Sequence, residues 1–272
     1  MLGKKETFLE KLFAIFGDPV AHSRSPLMHN SVFKNLNYKA CYTRVHLTDG
    51  SKLRETFFAL GLSGANVTVP HKEAAYAACD EVRGFAKKVG VVNTIVNENG
   101  KLIGYNTDAD GFMFAIKEFG AMKNILVLGA GGTAKALCAR FIEDGIKISV
   151  LNRSKERLVY FRELGCMCFT WDDFKSDKYD LVVNTTSAGL KDEELPAPLA
   201  LIEEILENTS FVADAIYGKV TPFLQLSKDK NITCKDGAAM LLGQGVLANE
   251  LLVKHALKTD AIKTYMSKSF EI

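Results

Sequence analysis

The stretch Ile125-Leu-Val-Leu-Gly-Ala-Gly-Gly-Thr-Ala134 decides the fold. Its first four residues read as a short apolar strand, and a helix-forming run follows the glycines. Gly129 permits the tight turn, Gly131 lets backbone N–H groups approach a pyrophosphate, and small Ala134 lets helix and strand pack closely. Ala130, Gly132 and Thr133 complete the turn, and the helix start favours a diphosphate charge. The next apolar run, Lys147-Ile-Ser-Val-Leu151, ends in Asn152-Arg-Ser154, where a fold selective for NAD carries an acid for the ribose 2′-hydroxyl. Arg153 in that place, supported by Arg157, Asn152 and Ser154, points instead to a 2′-phosphate and therefore to NADP. The alternative is a nucleotide-free glycine turn, against which strand, spacing and basic replacement agree.

Around this centre, 272 residues suffice for two modest domains. Apolar segments at 12–16, 40–47, 64–69, 91–97 and 101–104 predict strands, and 26–36, 51–60 and 70–78 predict helices, which makes residues 1–109 an α/β substrate domain. A connecting helix at 110–119 opens a βα rhythm, so residues 110–235 read as a Rossmann-type domain. A last helical run, 238–257, lies in a segment 236–272 that returns to the first domain.

A formal net charge of +2 supplies no basic field, so nucleic acid is not an expected partner. Acids within Met1–Glu10 interrupt what would be a signal peptide's apolar core, and no later run is long enough to span a bilayer. A cytoplasmic protein is expected. Its six cysteines form no C-x-x-C pair, which predicts free, buried thiols, and five dispersed histidines predict no metal.

Polar residues interrupt the first half where packing favours apolar ones. In Ala65-Asn-Val-Thr-Val-Pro-His-Lys72, Asn66 and Thr68 share one strand face and Ala65, Val67 and Val69 the other, which points the polar row into a cleft. Pro70 suits a first helical position and puts Lys72 in the first turn, where the macrodipole opposes its charge. Lys72 reads either as a surface lysine or as a proton donor. Asp108, in Asn106-Thr-Asp108, reads as a helix cap or a functional acid, and Asn93 as an interior amide or a hydroxyl ligand. In His22-Ser-Arg-Ser-Pro26, Ser25 suits an N-cap with Pro26 at the first turn, and Ser23 and Ser25 together suit a carboxylate. Gln244 lies on the face made by Met240, Leu241, Leu247 and Leu251, and Tyr217 follows Asp214-Ala-Ile216; each fits packing or substrate contact.

Taken together and in order along the chain, these segments resemble the shikimate dehydrogenase family. Gly17 to Pro26 is similar to its opening substrate segment, Asn66 to Lys72 to its lysine segment, and Val92-Asn-Thr94 and Asn106-Thr-Asp108 to the next two substrate segments. Asn184-Thr-Thr-Ser-Ala-Gly189 resembles its loop beneath the nicotinamide. The resemblance implies reversible NADPH-dependent reduction of 3-dehydroshikimate to shikimate, on the path to aromatic amino acids. It implies that Ser23, Ser25 and Tyr217 hold the carboxylate, that Asn66, Thr68, Asn93, Asp108 and Gln244 engage ring hydroxyls, and that Lys72 paired with Asp108 moves the proton. It further places Thr185, Ile216 and Gly237 at the cofactor. The Thr185 loop departs slightly from the family pattern, and Lys191-Asp-Glu-Glu-Leu-Pro196 is short. Quinate dehydrogenase is the nearest alternative, disfavoured by the two serines and by Arg153. A non-catalytic NADP sensor is another, disfavoured by retention of Lys72 with Asp108. Partners are expected to be the small-molecule substrate alone, with a monomer or homodimer as the working form.

Overall fold

A computed structural model describes residues 10–270, so the reading of residues 1–9 as no signal peptide falls outside the described residues. The chain forms two compact units. One comprises the described residues through Thr107 together with those from Gln244 onward, and the other is Asp108–Gly243.

The first unit runs β1 (Lys11–Gly17), α1 (Ser25–Asn35), β2 (Ala40–His46), α2 (Leu53–Ala59), β3 (Gly64–Val67), α3 (Lys72–Ala78), β4 (Glu81–Val82), α4 (Phe85–Val89), β5 (Thr94–Glu98) and β6 (Lys101–Tyr105). The sheet order is β2-β1-β3-β5-β6-β4, with β1 parallel to β2 and β3, and β5 antiparallel to β3 and β6. Strand alternation sends Ala14, Phe16, Ala65, Val67 and Ile95 into one core with Leu53 and Phe57 of α2. Asn66 therefore points to the opposite face, as the alternation predicts, whereas Val69 lies beyond the strand and is exposed.

Several local expectations need correction. Pro70 is not the first helical residue: α3 begins at Lys72, because the buried His71 ring bonds the Leu47 carbonyl and holds residue 71 in the preceding turn. Ser25 is not the N-cap of α1 but its first residue, since Arg24 already has helical dihedrals; the Ser25 N–H donates to Ser23 Oγ at 3.3 Å. β5 starts at Thr94, three residues later than expected, because Val92 N–H and Asn93 N–H turn to the carbonyls of Lys72 and Tyr105.

The second unit begins with α5 (Asp108–Ile116), two residues ahead of the expected start, and its last turn tightens to a 3₁₀ turn at Lys117–Phe119. Asp108 is thus part of the helix. Then follow β7 (Asn124–Leu128), α6 (Gly132–Glu143), β8 (Lys147–Leu151), α7 (Val159–Glu163), β9 (Met167–Phe169), β10 (Tyr179–Asn184), α8 (Leu199–Glu207), β11 (Thr209–Asp214), α9 (Pro222–Asp229) and β12 (Thr233–Lys235). All six strands are parallel in the order β12-β11-β10-β7-β8-β9, the doubly wound arrangement of a Rossmann domain. Ile125 and Val127 enter one core with Leu137 and Phe141 of α6, while Leu126 and Leu128 enter the other with Ile202 and Leu206 of α8. A sheet covered on both faces needs such apolar strands.

The chain ends in α10 (Ala238–Leu252) and α11 (Thr259–Lys268). The expected helix to residue 257 stops at Leu252, because Lys254 and His255 adopt φ of +54° and +57°. α11 returns to the first unit, where Ser31 Oγ donates to the Tyr265 carbonyl at 3.0 Å and the Arg24 guanidinium to that of Ser269 at 2.7 Å. All six thiols are free, but only Cys138 and Cys166 are buried; the other four are partly exposed, contrary to the buried set expected. Among the described residues no helix is long and apolar enough to cross a membrane.

Candidate functional site

In the first unit, two of the polar residues singled out from sequence, Asn66 and Asn93, lie along one hydrogen-bonded chain. Asn66 is buried, with its Nδ2 donating to Thr94 Oγ1 at 3.0 Å and its Oδ1 accepting from the Tyr42 hydroxyl at 2.7 Å. Thr94 Oγ1 donates to Asn93 Oδ1 at 3.0 Å, and Asn93 Nδ2 donates to Thr107 Oγ1 at 3.0 Å. Each buried amide thus has the partners its burial demands. Ser23 and Ser25 are both buried and their hydroxyls lie 3.2 Å apart. Arg44 of β2 grips the Ser23 carbonyl through Nε at 3.0 Å and Nη2 at 2.5 Å, which fixes this turn by a two-pronged guanidinium contact. Thr68 and Gln244 are half-buried.

Lys72 is 8% exposed, which removes the surface-lysine reading, since lysines are almost never this buried without a function or partner. Its carbonyl accepts from Val92 N–H at 3.0 Å, which ties the start of α3 to the loop carrying Asn93. Asp108, in the second unit, is buried at 5% exposure.

In that second unit the glycine turn sits at the carboxyl ends of the strands, where strand order reverses between β7 and β10. Gly129 has φ of +103°, and a Cβ there would lie 2.9 Å from both Thr185 Oγ1 and Thr186 Cγ2. Only glycine allows this approach. A Cβ on Gly131 would meet nothing, and Gly131 leads into α6 with no side chain capping the helix. Open space in front of an uncapped twelve-residue helix fits a diphosphate. Ala134 is fully buried, as close helix–strand packing requires, and Ala130 is buried beside it. Arg153 and Arg157 are exposed just after β8, and Asn152 Nδ2 donates to the Ser154 carbonyl at 3.0 Å.

Thr185 donates its hydroxyl to the Leu128 carbonyl at 2.7 Å, so its loop is stitched to the end of β7. Gly237 N–H donates to the Ile216 carbonyl at 2.9 Å, while Tyr217 is half-buried next to Ile216. Beneath these residues lies a buried centre that sequence reading missed. Asp214 accepts from Asn184 Nδ2 at 3.1 Å on each oxygen, from Thr221 Oγ1 at 2.7 Å and from Ile216 N–H at 2.9 Å. Asn184 in turn accepts from Thr186 N–H at 2.9 Å. The signal available was an acid at the end of an apolar strand, Phe211-Val-Ala-Asp214.

Burial raises the Asp214 carboxyl above its usual value, more than these donors lower it. The native state therefore holds that proton to higher pH than the unfolded chain does. Its stabilising contribution is complete below the unfolded value and is lost as pH rises through the raised folded value. Urea unfolding in steps from about pH 4 to 7 is expected to show this fall, flattened in Asp214→Asn. Parallel pH profiles for the two proteins would remove Asp214 from the linkage.

The family model for the shikimate dehydrogenase substrate binding domain matches residues 15–95. A shikimate dehydrogenase (NADP(+)) of Helicobacter hepaticus is 41% identical over 260 residues, spanning 95% of this chain and 97% of its own. The solved shikimate dehydrogenase of Aquifex aeolicus superposes with a TM-score of 0.84 at 34% identity, covering 96% of this chain and 98% of that one. The shikimate 5-dehydrogenase of Thermus thermophilus, solved with NADP(H) and shikimate, gives 0.80 at 32% identity, covering 95% and 99%.

Proposed function

The chain belongs to the shikimate dehydrogenase family, and from that premise we propose that it is an oxidoreductase that reversibly reduces 3-dehydroshikimate to shikimate with NADPH. Lys72 carries the reading: a buried lysine at a helix start, within the matching segment, is a poor structural choice and a good proton donor. Most of the substrate-binding residues belong to the first unit, while Asp108, Tyr217 and the residues that hold the cofactor belong to the second. Ser23 and Ser25 bind the carboxylate with Tyr217, and Asn66, Thr68, Asn93, Asp108 and Gln244 orient the ring hydroxyls. Lys72, with Asp108, gives a proton to the C3 oxygen in the direction of reduction and removes it in the reverse. The residues from Gly129 to Ala134 cradle the diphosphate, Asn152, Arg153, Ser154 and Arg157 surround the 2′-phosphate, and Thr185, Ile216 and Gly237 frame the nicotinamide. When bound, the nicotinamide supplies the hydride to C3.

We assign the reaction to the cytoplasm, with a monomer or homodimer as the working form and neither nucleic acid nor membrane as partner. The test is steady-state turnover of the purified chain with shikimate and quinate, each with NADP and NAD. Shikimate with NADP is expected to give the highest kcat/KM, and a preference for quinate or for NAD would overturn the assignment.

A hydrogen bond to a charged acceptor is worth about 1.5–3 kcal/mol, so Ser25→Ala is expected to lower kcat/KM for shikimate roughly tenfold to a hundredfold and to leave the NADP KM unchanged. Because Ser25 does not cap α1, the loss should vanish on an analogue lacking the carboxylate. A loss that persists on that analogue would assign Ser25 to the fold alone.

A further inference from the structure

Tyr42 lies in the middle of β2 at 2% exposure, and it is held more firmly than a packed ring requires. Asn30 of α1 grips its backbone from both sides: Asn30 Nδ2 donates to the Tyr42 carbonyl at 2.8 Å, and Tyr42 N–H donates to Asn30 Oδ1 at 2.8 Å. The neighbouring His29 stacks flat on its ring, with centroids 4.3 Å apart and planes 2° from parallel. His29 Nδ1 lies 2.8 Å from Asn249 Nδ2 of α10, the helix that also carries Gln244. Burial pushes His29 down to about 3, so the ring is neutral and its nitrogen free to accept from that amide.

All of this fixes one oxygen. The Tyr42 hydroxyl donates to Asn66 Oδ1 at 2.7 Å. A phenylalanine would pack equally well and would spare the desolvation of a buried hydroxyl. We propose that Tyr42 is a positioning residue, whose hydroxyl holds the Asn66 amide in the orientation that presents it to the ring hydroxyls of the substrate. His29 and Asn249 hold Tyr42 in turn. The inference rests on the proposed function, because it concerns the same substrate.

The test is Tyr42→Phe in the full chain, which keeps the ring and the stack. Shikimate KM is expected to rise about tenfold, with kcat and the NADP KM within about twofold of wild type. Since Tyr42 acts through Asn66, the Asn66→Ala/Tyr42→Phe protein should lose less than the product of the two single effects. A merely structural tyrosine would lower the unfolding midpoint and leave that KM unmoved. An unaltered KM, or fully multiplicative losses, would overturn the inference while wild-type turnover of shikimate upholds the function. A wild type that turns over no shikimate overturns the function and the inference with it. Should Tyr42→Phe fail to fold, Asn249→Leu, similar in volume, decides on the same readout with an expected rise of about threefold; a wild-type KM there overturns the inference.

Discussion

Lys72→Ala is expected to lower kcat by about two to four orders of magnitude while changing shikimate KM little, the range for removal of a general acid–base group. The expectation rests on where the fold puts this residue. It is the first residue of α3, where the free amides oppose a cation, and it is 8% exposed. Lys72→Arg separates two explanations, because arginine keeps the positive charge but does not give up a proton near neutral pH. If the proton is what matters, Lys72→Arg should be nearly as impaired as Lys72→Ala. A variant retaining more than about a third of wild-type kcat would leave Lys72 without a chemical role. Asp108→Asn should also be severe, and if the two residues act as one unit, the double variant should lose far less than the product of the single losses. Multiplicative losses would count against a shared step.

The parts of the fold that could be read from sequence are those where local chemistry and tertiary structure demand the same thing. Gly129 must have a positive φ and stand against Thr185, so both the turn and its neighbour enforce glycine. The strands of the second unit are apolar on both faces because both faces are covered, and β7 and β8 are accordingly visible as short runs. Boundaries failed where a distant partner decided them. Nothing near Pro70 in sequence says that His71 will be held by Leu47 from across the unit. The end of α10 was hidden for a related reason: no glycine or proline marks 253–257, yet Lys254 and His255 take left-handed dihedrals that stop the helix. α11, not distinguished from the helix before it, is secured with the residue that follows it to the first unit partly by contacts with Ser31 and Arg24 that lie more than two hundred residues away in sequence. In the candidate site, Ser23, Ser25, Asn66, Asn93 and Lys72 stood out because polar residues interrupt apolar or capping patterns. Tyr42, Thr94 and Asp214 did not. An aromatic and a threonine are ordinary strand residues, and only the hydrogen bonds of Thr94 to two asparagines show that its hydroxyl is used.

Arg153→Ala is expected to raise the NADP KM by roughly tenfold to a hundredfold, as for loss of a charge-assisted bond, and to leave the NAD KM nearly unchanged. The residue stands two positions after the end of β8, at the place where an NAD-selective domain holds the ribose with an acid. Here no acid competes, since the segment reads Asn152-Arg-Ser154 and the following acid, Glu156, is exposed. Arg153 is itself exposed, so free solvent screens its field and the gain must come from direct hydrogen bonds to the phosphate rather than from long-range attraction. That has a consequence for salt. Loss of a bidentate contact should persist at about 0.15 M ionic strength, whereas a purely diffuse attraction would fade toward the Debye limit. Arg157, also exposed, should give a smaller change because the 3₁₀ turn at Lys155–Leu158 sets it further along the chain from the strand end. Measuring both cofactors' constants for wild type and Arg153→Ala at low and moderate salt decides the matter. Equal losses with NADP and NAD would mean that Arg153 supports the fold of the strand end instead of reading the phosphate.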